Sequence, residues 1–408
     1  MRTRRERLRS PRGIASALVL AVAGCALGWL CLDTTAVEIL PPGAVPGVLR
    51  SDHPEQVLTQ ATRALVAQRG RLSPDTLAAV RRAAAAAPLD ARPYLILGHQ
   101  YLLEGRADRA LAALEAGQRL DPRQKLIHIL LLDRYLRTGR YDAAATQFSL
   151  MARLMGATQG PIAAAMAQMS VAPETRDAVR RTLASDPVLE GSVLLAMARS
   201  DIAPSTIFAL ASPAALADAG DTGAWGPALV RRLVEKGNFA AARSVWTRIY
   251  RLPDAAARAL VFNAGFARSP ASPPFNWTLA AGSIGAADMR SGAIAIDYYG
   301  RDSGELANQL LVLAPGRYRF TVTVDPGKTD TASRLLWTLT CAGGAKTPLM
   351  RLPVTAAATQ RRLAADVTVP AGCTAQTLQL IGEAGDFPAP IAVSLRNPAI
   401  TPISGSQP

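Results

Sequence analysis

Apolar residues fall into three successive patterns along the chain. From Ile14 to Leu32 the run IASALVLAVAGCALGWLCL holds 19 residues without a charge. As a helix rising about 1.5 Å per residue it would reach about 28 Å, close to the hydrocarbon thickness of a bilayer. From about residue 53 to 268 the apolar positions instead recur at helical spacing, in an Ala-, Leu- and Arg-rich sequence punctuated by Gly and Pro. SPASPP, residues 269–274, cannot continue a helix. Beyond it apolar and polar residues alternate. In RYRFTVTV, Tyr318, Phe320, Val322 and Val324 share one face, and Arg317, Arg319, Thr321 and Thr323 take the other.

These patterns predict a multidomain chain, α then β. Residues 1–13 form a basic segment, 14–32 a transmembrane helix or signal, 33–52 a Pro- and Gly-containing linker, 53–268 a helical domain and 269–274 a second linker. A β-domain over 275–402 and a tail over 403–408 complete the chain. Candidate strands are FNWTL, AIAIDYY, NQLLVL, GRYRFTVTV, RLLWTLTC, RLAADVTV, TLQLIG and IAVSLRN. They are parted by turns such as APGR, DPGK, CAGG and PAGC. Short strands at this spacing fit an antiparallel β-sandwich of jelly-roll type.

Within the helical stretch Tyr101, Gly105, Ala110 and Leu114 recur as Tyr135, Gly139, Ala144 and Phe148, an offset of 34 residues that Pro88 and Pro122 share. The aromatic packs between paired helices, the Gly ends the first helix, and the Ala lets the second approach closely. Residues 91–155 therefore resemble the tetratricopeptide repeat (TPR) family. In the second unit Leu132 departs from the pattern, standing where the first has Gly98. Gly237, Ala242 and Trp246 echo the same signature later, residues 53–90 supply a degenerate leading pair, and residues 160–222 are too irregular to phase. The resemblance implies a stacked α-solenoid whose first helices line a concave groove. By that resemblance Arg92, His99, Asp133 and Arg137 point into the groove, with Leu95 and Leu102 as apolar contacts.

The formal charge of +14 raises a nucleic-acid reading, but Arg2, Arg4, Arg5, Arg7, Arg9 and Arg12 crowd one end, and no block of interleaved basic and aromatic residues follows. No nucleic-acid partner is expected. Basic residues ahead of the apolar run should stay cytoplasmic, placing the chain beyond Asp33 in the bacterial periplasm as a single-pass inner-membrane protein. VAGC, ending at Cys25, resembles a lipobox, so lipidation of Cys25 is an alternative, and a plain cleaved signal is another. The apolar ALGWLCL after Cys25 favours the uncleaved anchor. Outside this run the cysteines are Cys341 and Cys373 alone, a pair expected to bridge in an oxidising compartment, with two buried thiols as the alternative.

LAPGRYRF looks like segments of β-sandwich carbohydrate-binding modules of the galactose-binding-like kind. That likeness brings Trp277, Tyr298, Tyr299 and Trp337 forward as sugar-stacking candidates. Period-2 companions Leu335, Leu339 and Cys341 place Trp337 in the core. Tyr298 and Tyr299 point to opposite faces, and Tyr299, beside the GRDSGE loop, is the one expected outside. Trp277 is read first as a plug at the end of the sandwich or its junction with the helices, and second as a glycan contact. Asp297, Asp302, Glu305, Glu383 and Asp386 lie in or near loops, where a structural Ca²⁺ would need them to converge.

His53, His99 and His128 all lie in the helical region, so no His-dependent triad can form within the β-domain. No GxSxG, P-loop, GxGxxG, HExxH or CxxC occurs, and no cofactor is expected. A glycosidase needs only two carboxylates; Asp302 with Glu305, or Glu383 with Asp386, are the nominal pairs. The expectation is a non-enzymatic, membrane-anchored periplasmic scaffold that grips an envelope protein through its repeats. The combination resembles envelope TPR proteins of exopolysaccharide assembly and export systems. A carbohydrate-binding accessory protein is the first alternative and a glycosidase the second.

Overall fold

The computed structural model describes residues 53–67, 70–156, 160–326, 334–344, 347–355, 359–387 and 389–403, with 19, 21–29, 31, 32 and 35 near the N-terminus. The chain divides into two compact units, Met1–Ile162 and Ala163–Pro408. Among the described residues no helix is long and apolar enough to cross a membrane. Of the run expected to span one, residues 14–18, 20 and 30 lie outside the described residues, as do the basic segment 1–13 and most of the linker 33–52.

The first unit is built from helix pairs. Helices α1 (Pro54–Ala67) and α2 (Pro74–Ala86) precede α3 (Arg92–Leu103) with α4 (Ala107–Leu120), and α5 (Lys125–Arg137) with α6 (Tyr141–Met155). The repeated residues do repeated work. Gly105 and Gly139 sit at φ 71° and 69°, left-handed backbone that a side chain resists. Each lets the chain close a cap in which the next residue reaches back, Arg106 N–H to Tyr101 O at 2.8 Å and Arg140 N–H to Tyr135 O at 2.9 Å. The guanidiniums of the same two arginines then lie over the rings of Tyr101 and Tyr135, 5.1 and 4.6 Å from the centroids. Ala110, Leu114 and Ala144 are fully buried. A Cβ on Gly98 would stand 2.7 Å from Leu114 Cγ, so glycine sets the distance between α3 and α4.

The second unit begins within α7 (Gly160–Met169) and continues with α8 (Pro173–Ala184), α9 (Pro187–Arg199), α10 (Pro204–Leu210) and α11 (Pro213–Ala217). Four of these begin with a proline, which fits the first turn because its missing N–H is not needed there. The pair α12 (Trp225–Glu235) and α13 (Phe239–Ile249) follows, turning at Gly237 with φ 73° and the same back-reaching bond, Asn238 N–H to Leu233 O. Helix α14 (Asp254–Arg258) ends the helical part.

Among the described residues ten strands then form two five-stranded antiparallel sheets, in the orders β1-β4-β9-β6-β7 and β2-β3-β10-β5-β8. Their ranges are β1 Thr278–Leu279, β2 Gly285–Arg290, β3 Ala293–Tyr298, β4 Gly304–Leu311, β5 Gly316–Val324, β6 Arg334–Cys341, β7 Met350–Val354, β8 Arg361–Val369, β9 Gln376–Glu383 and β10 Ile391–Pro402. The core between them takes Tyr318, Phe320, Val322 and Val324 from β5 and Leu335, Trp337 and Leu339 from β6, the alternation read from the sequence. Two strands were not foreseen. Each, β2 and β7, ends a sheet order or pairs with one neighbour, and GAADMR and MRLPV carry little apolar alternation because an edge strand needs less of it.

The last helices and the sandwich share one packed seam. Trp246 of α13 is fully buried, with ring centroids of Phe262 and Phe275 at 4.9 and 5.6 Å, and its indole N–H donates to Ser272 O at 2.8 Å. Gln309 of β4, wholly buried, clamps the backbone of Phe262 by accepting from its N–H at 3.1 Å and donating to its carbonyl at 2.9 Å.

Candidate functional site

The groove positions inferred from the repeat separate into three kinds. Arg92 opens α3 and is held by two carboxylates. Its Nη1 donates to Glu55 Oε1 at 2.8 Å and its Nε to Asp90 Oδ2 at 3.0 Å. Hydrogen bonds from Arg92 hold the Glu55 carboxyl below its ordinary range. Burial pushes Asp90 the other way, yet the bonds from Arg92 outweigh it and lower that carboxyl too. Arg92 therefore fastens α1 to α3 across the first pair, and its charge is already answered.

His99, which the repeat position assigns to the groove, is half-buried. The turn after α1 lies on it, so that a Cβ on Gly70 would meet His99 Cε1 at 2.8 Å. Its Nδ1 is buried without a hydrogen-bond partner, and burial pushes the imidazole pKa down. Beside it Gln100, buried, fixes the same turn by accepting from Leu72 N–H and donating to Gly70 O. Leu95 and Leu102 are half-buried. The degenerate leading pair thus occupies part of the face that α3 would otherwise offer.

On α5 the face is open. Asp133 and Arg137 are exposed and pair with each other at 2.9 Å, one turn apart. Flanking them, Leu126, Ile129 and Leu136 are 43%, 47% and 37% exposed, and Leu103 at the end of α3 is 43% exposed. Residues 126, 129, 133 and 136 fall on one face of a helix. The sequence reading missed the three apolar ones, although the signal was present: adding the 34-residue offset to Arg92, Leu95 and Leu102 lands on Leu126, Ile129 and Leu136. Such a row is informative because exposed large apolar side chains are unremarkable singly but not when aligned.

His128, in the first turn of α5, is wholly buried. Its Nε2 bonds Pro122 O at 2.8 Å and its Nδ1 the Gln147 side chain at 2.7 Å, so it ties α5 to α6.

In the sandwich, Trp277 is 4% exposed and offers no ring face to a glycan. Its indole N–H donates to Asn263 O at 3.2 Å, and its ring lies 5.4 Å from Phe266 and 6.0 Å from Trp337. Trp337 and Tyr298 are also fully buried, the latter donating to Asp302 O at 3.1 Å, with burial pushing its phenol pKa up. Tyr299 is exposed at 44%. Among the described residues no three His, Cys, Asp or Glu side chains gather closely enough to hold a metal ion. Glu383 pairs with Arg351 at 2.7 Å, and Glu305 accepts from the Asn308 and Gln379 amides.

Those amides belong to a polar row on the face of the first sheet turned away from the core. Cross-strand partners Arg351, Thr338, Gln379, Asn308 and Thr278 run in register over β7, β6, β9, β4 and β1. The Thr338 hydroxyl has no partner of its own. Cys341 and Cys373 form a disulfide with Cα atoms 5.5 Å apart, stapling the end of β6 to the β8–β9 connection. Cys25 is exposed.

No family model matches the chain, and no curated protein matches it. Among solved structures, a CBM4 carbohydrate-binding module is 17% identical, covering 35% of this chain and 99% of its own, with a TM-score of 0.27. The module TmCBM61 in complex with β-1,4-galactotriose is 12% identical over 36% of this chain and 99% of its own, TM-score 0.26. Yeast Tom70 is 13% identical over 50% of this chain and 44% of its own, TM-score 0.25. Similarity at these scores fixes no function, which has to be argued from the residues of this chain.

Proposed function

We propose that the chain is a non-enzymatic scaffold that docks an apolar segment of a protein partner on α5 and the end of α3. One observation carries this reading: the aligned, exposed Leu126, Ile129 and Leu136, joined by Leu103. A helix that keeps three large apolar side chains in water forgoes part of the burial that stabilises its neighbours. A partner supplies that burial, while the Asp133–Arg137 pair gives the rim polarity. The scaffold is further proposed to stand in the periplasm, anchored by residues 14–32, and to serve cell-envelope or exopolysaccharide assembly. The charge-free run and the disulfide of an oxidising compartment support this placement.

A photo-crosslinking amino acid at position 129 in the anchored chain tests the docking face. Crosslinks to a discrete envelope protein, lost on Leu126→Asp with the melting temperature unchanged, are the expected result. Absence of crosslinks from position 129 while position 299 yields them would move the function to the sandwich. A reporter fused after Asp33 that is active only in the cytoplasm would refute the periplasmic placement.

The second reading is glycan binding by the sandwich. It is favoured by the in-register polar row and the exposed Tyr299, since sugars are held by hydrogen bonds to hydroxyls and by ring stacking. Glycan-array binding by the full chain, abolished by Gln379→Ala or Tyr299→Ala, is the measurement that would support it.

A further inference from the structure

A cavity of another kind lies in neither of these places. It opens among α9, α11 and the start of α12, measures about 840 Å³, and is walled by Pro187, Val188, Leu195, Pro213 and Trp225. Val188 at its mouth is 73% exposed. The Trp225 ring is fixed from two sides, by its N–H donating to Ala215 O at 3.2 Å and by Phe208 edge-on at 5.3 Å. One carboxylate interrupts the apolar wall. Glu190 is 4% exposed, and its two oxygens accept from Ser212 N–H at 2.7 Å and Ser212 Oγ at 2.9 Å. Asp218 adds a second acid at the exposed rim. No Lys, Arg or His is among the residues lining the cavity.

We propose that this cavity binds a protonated amine or guanidinium carried on an apolar stem. A carboxylate oxygen has two lone pairs, and each oxygen of Glu190 has used one, on a neutral donor. Buried charges are normally paired, because a low-dielectric wall magnifies both the cost of isolation and the gain from a counter-charge. The cavity supplies the rest of the match: an apolar lining for the stem, and the Trp225 indole in the same wall as a further surface for a cation. The chemistry is that of a free alkylamine or of a Lys or Arg side chain presented by a peptide.

Calorimetric titration of the full chain with n-hexylammonium, n-hexanol and n-hexanoate tests the assignment. Hexylammonium should bind saturably, hexanol about ten- to a hundredfold more weakly, as the loss of a charge-assisted hydrogen bond implies, and hexanoate not at all. Glu190→Gln should lose the same factor. Should that variant fail to fold, Gly191→Leu replaces it. Gly191 lies on the cavity lining and a Cβ there meets open space, so a leucine is expected to obstruct binding while leaving the fold intact. A blocked peptide, Ac-Leu-Lys-Leu-NH2, binding more tightly than hexylammonium assigns the site to a partner's side chain, and the reverse order assigns it to a free amine. Hexanol binding as tightly as hexylammonium, or hexylammonium binding unchanged in Gly191→Leu, overturns the proposal.

Discussion

Removing Trp246 should unfold the last helix pair and the sandwich together. The side chain is fully buried, meets Phe262, Phe275 and Tyr250 edge-to-face at 4.9 to 5.6 Å, and holds Ser272 O with its indole N–H. Trp246→Ala leaves a cavity in this cluster and costs about 3–5 kcal/mol. That is a large share of the about 5–15 kcal/mol by which a domain is stable. Trp246→Phe keeps most ring contacts but strands the Ser272 carbonyl, a loss of about 1–3 kcal/mol. Guanidinium unfolding followed by far-UV circular dichroism reports the sum, and hydrogen exchange of peptides from β4 and β9 reports the sandwich alone. The unfolding midpoint and the protection of β4 and β9 should both fall, in the order wild type, Phe, Ala. Loss of protection confined to α12 and α13, with β4 and β9 unchanged, would show that the Trp246 and Gln309 contacts do not couple helix to sheet, and would refute the reasoning.

Three further outcomes follow from the geometry. Cys341→Ser, which opens the bridge over a separation of 32 residues, should lower stability by about 3–4 kcal/mol in the chain-entropy account, read as a shift in denaturant midpoint that reducing agent reproduces in the wild type. Gly105→Ala forces a Cβ into left-handed backbone with open space around it, so strain alone acts; the loss should be about 1–2 kcal/mol, and Gly139→Ala should match it. Because burial depresses the His99 pKa, the unfolded chain binds a proton that the folded chain does not. The associated stability is fully present above about pH 6.5, the unfolded value, and is lost as pH falls from there toward the folded pKa. His99→Gln should flatten that part of the stability–pH profile, and a profile unchanged by the substitution would place His99 in water.

Much of the fold was legible because two periodicities do different physical work. Alternation in RYRFTVTV could be satisfied only by a sheet with one wet face, and the 34-residue echo of Tyr101, Gly105 and Ala110 only by stacked helix pairs. What escaped were features that need little local pattern. The edge strands β2 and β7 borrow their order from a single neighbour, and α7 to α11 take theirs from proline starts and tertiary packing rather than from a repeat. The seam at Trp246 was invisible for another reason: a composition change at SPASPP marks where helix ends, not where packing ends.

The burial of the inferred groove positions depends on context that the sequence does not carry. Helical phase assigns a residue to a face, but a neighbouring element decides whether that face stays open. His99 has the phase of a groove residue, yet the turn after α1 covers it because Gly70, without a side chain, can lie against the imidazole. Its counterpart one repeat later, Asp133, has the same phase and is exposed. The row around Asp133 is therefore where the repeat phase and the burial agree, and a scan of α5 separates docking from structure. Leu131→Ala, wholly buried, should cost about 2–5 kcal/mol of stability and weaken any partner only through unfolding. Ile129→Ala, half in water, should leave the melting temperature nearly unchanged and weaken the partner directly. Equal loss of stability in both would mean that the row on α5 is covered in solution.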